Sequence, residues 1–131
     1  MPFFKESPLN IALWTLQAVL GVTFLAAGLI QLVVPKPKLA EWQGWAADYS
    51  PTSIKLIGVA NIIVATGVLI LPMFDVVPWI APLAAFGMAG ILTGAFFAHR
   101  RRNETRLALA VTGLRVIALI VVVGRLIVSP L

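Results

Sequence analysis

Four stretches of almost unbroken apolar residues decide which solvent this chain folds in. They span about 9–34, 52–71, 78–98 and 105–128. Each approaches the ~20 residues that a helix needs to cross the hydrocarbon core of a bilayer. Hydrophobic residues make up 60% of the chain and charged residues 11%, whereas soluble domains are nearer one half and one quarter. A chain of 131 residues has too little interior to hide that surface, so lipid must cover it. The stretches read as helices, because an isolated strand leaves its backbone unpaired in lipid and barrel strands would alternate in polarity. The sequence therefore predicts an all-α polytopic membrane protein, a four-helix transmembrane bundle forming one domain over residues 1–131.

Local signals punctuate the four spans. Ser7-Pro8 and Ser50-Pro51 each place an N-capping hydroxyl before a proline at the first helical position. Pro35 and Pro37 end the first span, Pro72 closes the second, and Pro82 stands close enough to the start of the third to be tolerated. The first stretch is far longer than the ~7–15 apolar residues of a signal peptide and reads as a retained helix.

The connection after the first span carries a pattern of its own. Leu39, Trp42, Trp45, Ala46 and Tyr49 recur at helical spacing, while Lys38, Glu41, Gln43 and Asp48 fall mostly elsewhere. This predicts a short amphipathic helix over about 38–49 lying in the interface, with Trp42, Trp45 and Tyr49 at headgroup depth. A loop that happens to hold tryptophans is the alternative. Lys36, Lys38, Lys55, Arg100, Arg101, Arg102 and Arg106 gather on one side of the bundle, against Lys5 and Arg125 on the other. The positive-inside rule then puts the arginine-rich turn in the cytoplasm and both termini outside, in a bacterial inner membrane. Arg100, Arg101 and Arg102 are expected to meet anionic headgroups.

Several function classes are excluded or disfavoured. The net charge of +5 follows from topology and needs no nucleic acid. With no cysteine and one histidine, the chain offers no metal site and no bis-histidine heme site of its own. No paired carboxylates, nucleophile elbow or phosphate loop stands in the sequence, so an enzyme is not expected. Asn103-Glu104-Thr105 matches a glycosylation sequon, but its place against the cytoplasmic face argues against modification.

Among polar residues inside the spans, Arg115 stands out, because it falls about nine residues, or ~13 Å, into the fourth. A guanidinium at that depth costs from ~3 to above 10 kcal/mol and marks a candidate ligand site. Bonding to neighbouring helices or to a partner subunit is the plainer alternative. Asn61, Gln31 and His99 approach the same side and are expected to line one polar seam with Arg115. Interhelical bonding of the two amides is the simpler reading of each alone, as headgroup contact is for His99. Gly90 and Gly94 form a GxxxG expected to pack helix against helix, within the bundle or in a homodimer.

The chain resembles the DoxX-like family of small four-span membrane proteins. The resemblance rests on Phe24-Leu25-Ala26-Ala27-Gly28-Leu29-Ile30-Gln31-Leu32, on Ile57-Gly58-Val59-Ala60-Asn61, and on Gly67-Val68-Leu69-Ile70-Leu71-Pro72. Gly94-Ala95, His99-Arg100-Arg101 and the closing Gly124-Arg125 continue it. The family pattern often has a carboxylate in the place of Asn61 and a lysine in that of Gln31; here both are neutral amides, and Arg115 adds a charge. Founding members look like membrane subunits of a thiosulfate:quinone oxidoreductase, which implies quinone-linked redox assemblies and names quinone as a candidate cofactor. The leading expectation is an accessory or scaffold subunit of an electron-transfer or respiratory complex, with membrane lipids and a protein partner or homo-oligomer around it. The alternative is a quinone-, lipid- or small-molecule-binding protein, or an oxidoreductase membrane subunit, using the seam around Arg115. A transporter ranks below both, since four short spans leave little room for inverted halves.

Overall fold

A computed structural model describes residues 7–131. Lys5, counted above for orientation, lies outside the described residues. Four long helices cross in up-and-down order: α1 (Pro8–Val33), α3 (Pro51–Met73), α4 (Ile80–Arg101) and α5 (Thr105–Val128). All four are long and apolar enough to span a membrane. The Ser7 and Ser50 side chains accept from the amides of Asn10 and Ser53, as the two Ser-Pro signals require.

The connection after α1 is not one amphipathic helix. It is α2 (Lys36–Trp42) followed by a 3₁₀ turn over Gly44–Asp48, broken at Gln43, whose backbone is extended. Leu39 and Ala46 are fully buried with Ile54, and Trp45 and Tyr49 pack against them. The connection is thus pinned to the end of the bundle, and only Trp42 of its three aromatic residues is exposed. At the other tight turn Asn103 takes a left-handed φ of 58°. The amide of Glu104 bonds the His99 carbonyl and that of Asn103 bonds Arg100, the closing pattern of a helix that asparagine tolerates. The sequon asparagine is a helix stop.

Pro72 was expected to close the second span at Leu71, yet the helix runs to Met73. A proline offers no N–H to the carbonyl four residues earlier, here that of Val68. Two features absorb the defect. The backbone widens into a π-turn over Thr66–Ile70, and the Gln17 side chain of α1 donates to the Val68 carbonyl at 2.7 Å. A buried amide thus replaces the missing proton, as hydrocarbon demands of any freed carbonyl.

The helices form two hairpins, α1 with α3 and α4 with α5. Gly28 and Gly58 bring α1 and α3 into close contact: a Cβ on Gly28 would stand 2.7 Å from the Gly58 carbonyl oxygen. Between the hairpins the spacing changes along α4. A Cβ on Gly67 would lie 2.8 Å from the Ala84 Cβ, and one on Gly87 would lie 3.2 Å from Val64. At Gly90 and Gly94 a Cβ would meet nothing within 4 Å. The hairpins touch near the π-turn and diverge toward the arginine-rich end. The GxxxG of α4 therefore faces open space rather than a helix of this bundle, and Gly28–Gly58 does the close packing.

Glycine replacement should separate the two environments. Gly28→Val is expected to lower stability by ~1–3 kcal/mol through overpacking, whereas Gly90→Ala should be neutral. Thermal unfolding of the detergent-solubilised variants checks both.

Candidate functional site

Two polar groupings lie within the bundle, one at each end. At the end away from the arginine-rich turn, Arg125 is 2% exposed. Its Nε donates to Gln17 Oε1 at 2.6 Å and its Nη1 to Asn10 Oδ1 at 2.7 Å and to the Ser129 carbonyl at 2.9 Å. Nη2 reaches the Asn10 carbonyl at 3.4 Å, and the guanidinium lies 5.4 Å from the centre of the Trp14 ring. A second π-turn over Gly124–Val128 carries the arginine inward. No carboxylate among the described residues bonds it; dipoles and a ring face hold the charge. Since Gln17 also bonds Val68, Arg125 ties α1, α3 and α5 together. Asn10 and Gln17 stand seven residues apart on one face of α1, the signal that could have exposed this node in the sequence.

Arg115, expected to lead the polar seam, sits elsewhere. It is half-buried, donates to Thr93 Oγ1 at 3.3 Å, and lies 5.3 Å from the centre of the Phe96 ring. It does not line the cavity described next. Its long side chain runs toward α4, leaving the adjacent Leu114 to face inward.

Where the hairpins diverge, a cavity of about 350 Å³ opens between them. Small residues create the space: Ala27 on α1, Ala60 on α3, and Gly90, Gly94 and Ala98 on α4. Gln31, Asn61 and His99 line it together, so three of the four candidate residues do share one seam. Trp45 and Tyr49, expected at headgroup depth, line the cavity from the connection.

The polar end of the cavity has a defined chemistry. Asn61 Nδ2 donates to Gln31 Oε1 at 2.8 Å, and Gln31 Nε2 lies 3.5 Å from Gln43 Oε1. This relay fixes the Asn61 amide, which is 5% exposed, and leaves its Oδ1 buried with no partner among the described residues. His99 Nδ1 stands 3.0 Å from Glu104 Oε1. A carboxylate only accepts, so in the neutral ring Nδ1 carries the proton and Nε2 is an acceptor. Tyr49 Oη accepts from Arg101 at 3.1 Å, leaving its own proton free to donate. Amide, imidazole and phenol side chains thus stand in the wall of an otherwise apolar cavity, the usual make-up of a small-molecule pocket, with Asn61 Oδ1 covered just behind that wall.

Ion pairs fasten the connection beside this end. Arg102 bonds Asp48 at 3.0 Å and approaches Glu104 at 3.6 Å. Arg101, bonded to Tyr49, and Arg102, bonded to Asp48, are both exposed and fasten the connection to the end of α4. No group of three or more potential metal ligands occurs among the described residues.

Fold and cavity together define a small polytopic membrane protein with a half-open cleft between its hairpins at one end. The sequence profile of the DoxX-like family matches residues 15–124, and the chain belongs to that family. No curated protein and no solved structure matches it.

The two arginines should respond differently to loss of charge. Arg125→Leu strands the Gln17 and Asn10 acceptors and is expected to destabilise the fold by ~1–3 kcal/mol, while Arg115→Leu should cost little. Denaturant titration in micelles distinguishes them.

Proposed function

We propose that this protein binds a membrane-soluble ring compound bearing hydroxyl groups, of the quinol type, in the chamber between its two hairpins. The unpartnered Asn61 Oδ1 carries this reading. A buried acceptor left without a donor costs about 1–3 kcal/mol, and a ligand hydroxyl that reaches it by a small shift of the side chains covering it removes that cost. His99 Nε2 offers a second acceptor and the Tyr49 hydroxyl a donor for a ring carbonyl. The apolar walls along Phe24, Ile57, Ile91 and Leu92 take the ring and the start of its tail. The three side chains hold and orient the ligand, and no bond-making step is assigned to them.

An accessory place beside an electron-transfer complex is a setting in which such a binding subunit would serve, and the family resemblance supports it. The lysine and arginine bias supports a cytoplasmic arginine-rich end with both termini outside, in a bacterial inner membrane.

A decyl-tailed benzoquinol titrated into the micellar protein tests the reading by isothermal calorimetry. Asn61→Leu should weaken binding about tenfold, the loss of one buried hydrogen bond. Gly90→Leu, which places a side chain in open space, should abolish it, and Arg115→Leu should leave it unchanged. Equal heats from all four proteins would mean partition into the micelle and would refute a chamber ligand.

A further inference from the structure

We infer that Arg115 and Arg100 form a site for the phosphate of one anionic phospholipid on the outer surface of the α4–α5 hairpin. The inference is independent of the chamber and of whatever occupies it.

The two guanidinium groups converge on a single ring. Arg115 lies 5.3 Å and Arg100 6.0 Å from the centre of Phe96. The neighbouring Phe97 is exposed and meets Phe96 edge to face. Arg115 has one hydrogen bond, to Thr93 Oγ1, whose own proton is spent on the Ala89 carbonyl at 2.8 Å. No other described residue accepts from either guanidinium. Arg125 shows what a buried guanidinium in this protein looks like when its needs are met internally; Arg115 lacks that environment. The carboxylates of Asp48 and Glu104 are already engaged by Arg102 and His99.

Neither guanidinium pairs with a carboxylate among the described residues. Both groups lie against one ring with no carboxylate of the described residues to bond them, and a phosphate accepting from both would form charge-assisted bonds with each. The backbone of Arg115 lies deep in the span, while its side chain reaches toward Phe96, nearer the arginine-rich end. That is how a long side chain brings its charge toward headgroup level. An anion that comes with acyl chains suits this position better than a free ion, because the exposed Phe97 gives a chain an apolar face beside the phosphate.

Native mass spectrometry of the intact protein, with dioleoylphosphatidylglycerol or dioleoylphosphatidylcholine added to the micelles, tests the site. Phosphatidylglycerol should be retained in preference to phosphatidylcholine. Arg115→Leu and Arg100→Leu should each weaken retention about five- to tenfold. Arg106→Leu, which removes an equal charge from the same end, should leave it unaltered. Arg100 is exposed, so its variant reports even if Arg115→Leu disturbs the fold. Equal loss in Arg106→Leu, equal retention of the two lipids, or displacement by millimolar inorganic phosphate would overturn the proposal. So would a second copy of the chain that stays bound in wild type and is lost in Arg115→Leu.

Discussion

In hydrocarbon a freed carbonyl or a lone guanidinium finds no water, and such a group is met by another part of the chain or by a bound molecule, or it costs stability. That requirement organises one end of this bundle around Arg125. Pro72 frees the Val68 carbonyl, Gln17 covers it, and Arg125 completes Gln17 while binding Asn10. Three helices are thereby held at fixed depth and rotation by polar contacts that apolar side chains could not provide, since lipid tails are as apolar as leucine and do not drive helices together. The two π-turns follow from the same need, one spreading the backbone before Pro72 and the other carrying Arg125 inward.

Holding one end sets the form of the other. Close contact at Gly67 and Gly87, followed by open space at Gly90 and Gly94, means the hairpins diverge from a fixed point. The connection after α1, itself fastened by Arg101 and Arg102, bounds one end of the gap with Trp45 and Tyr49. The chamber is bounded by small residues, roofed by Trp45 and Tyr49, and fitted at one end with amides and an imidazole. The two ends divide the work: polar groups satisfied by one another provide stability, and a polar group left unsatisfied provides binding capacity.

Much of the fold was legible because hydropathy over ~20 residues reports the solvent directly. The Ser-Pro pairs marked two helix starts by known capping chemistry. Gln31, Asn61 and His99 could be grouped because helical rise places them at similar depth. Rotation about the helix axis was not legible. Depth alone cannot tell Arg115, turned outward to Phe96, from a residue facing the interior, and Arg125 looked like a terminal flank until a π-turn carried it inward. The GxxxG of α4 shows a related limit: small residues allow close approach, but within one bundle they equally leave room where no helix approaches. The break of the connection at Gln43 depends on burial of Leu39 and Ala46 together, a tertiary effect that spacing within one segment does not encode.

The divergence of the hairpins at Gly90 is the claim on which both the chamber and its chemistry stand. A crystal structure grown from a lipidic mesophase measures it most directly. The expected result is open separation of α3 and α4 beside Gly90 and Gly94, with elongated non-protein density whose polar atom lies within hydrogen-bonding distance of Asn61 Oδ1. Helices closed against each other at Gly90, with Asn61 bonded across the contact, would contradict it.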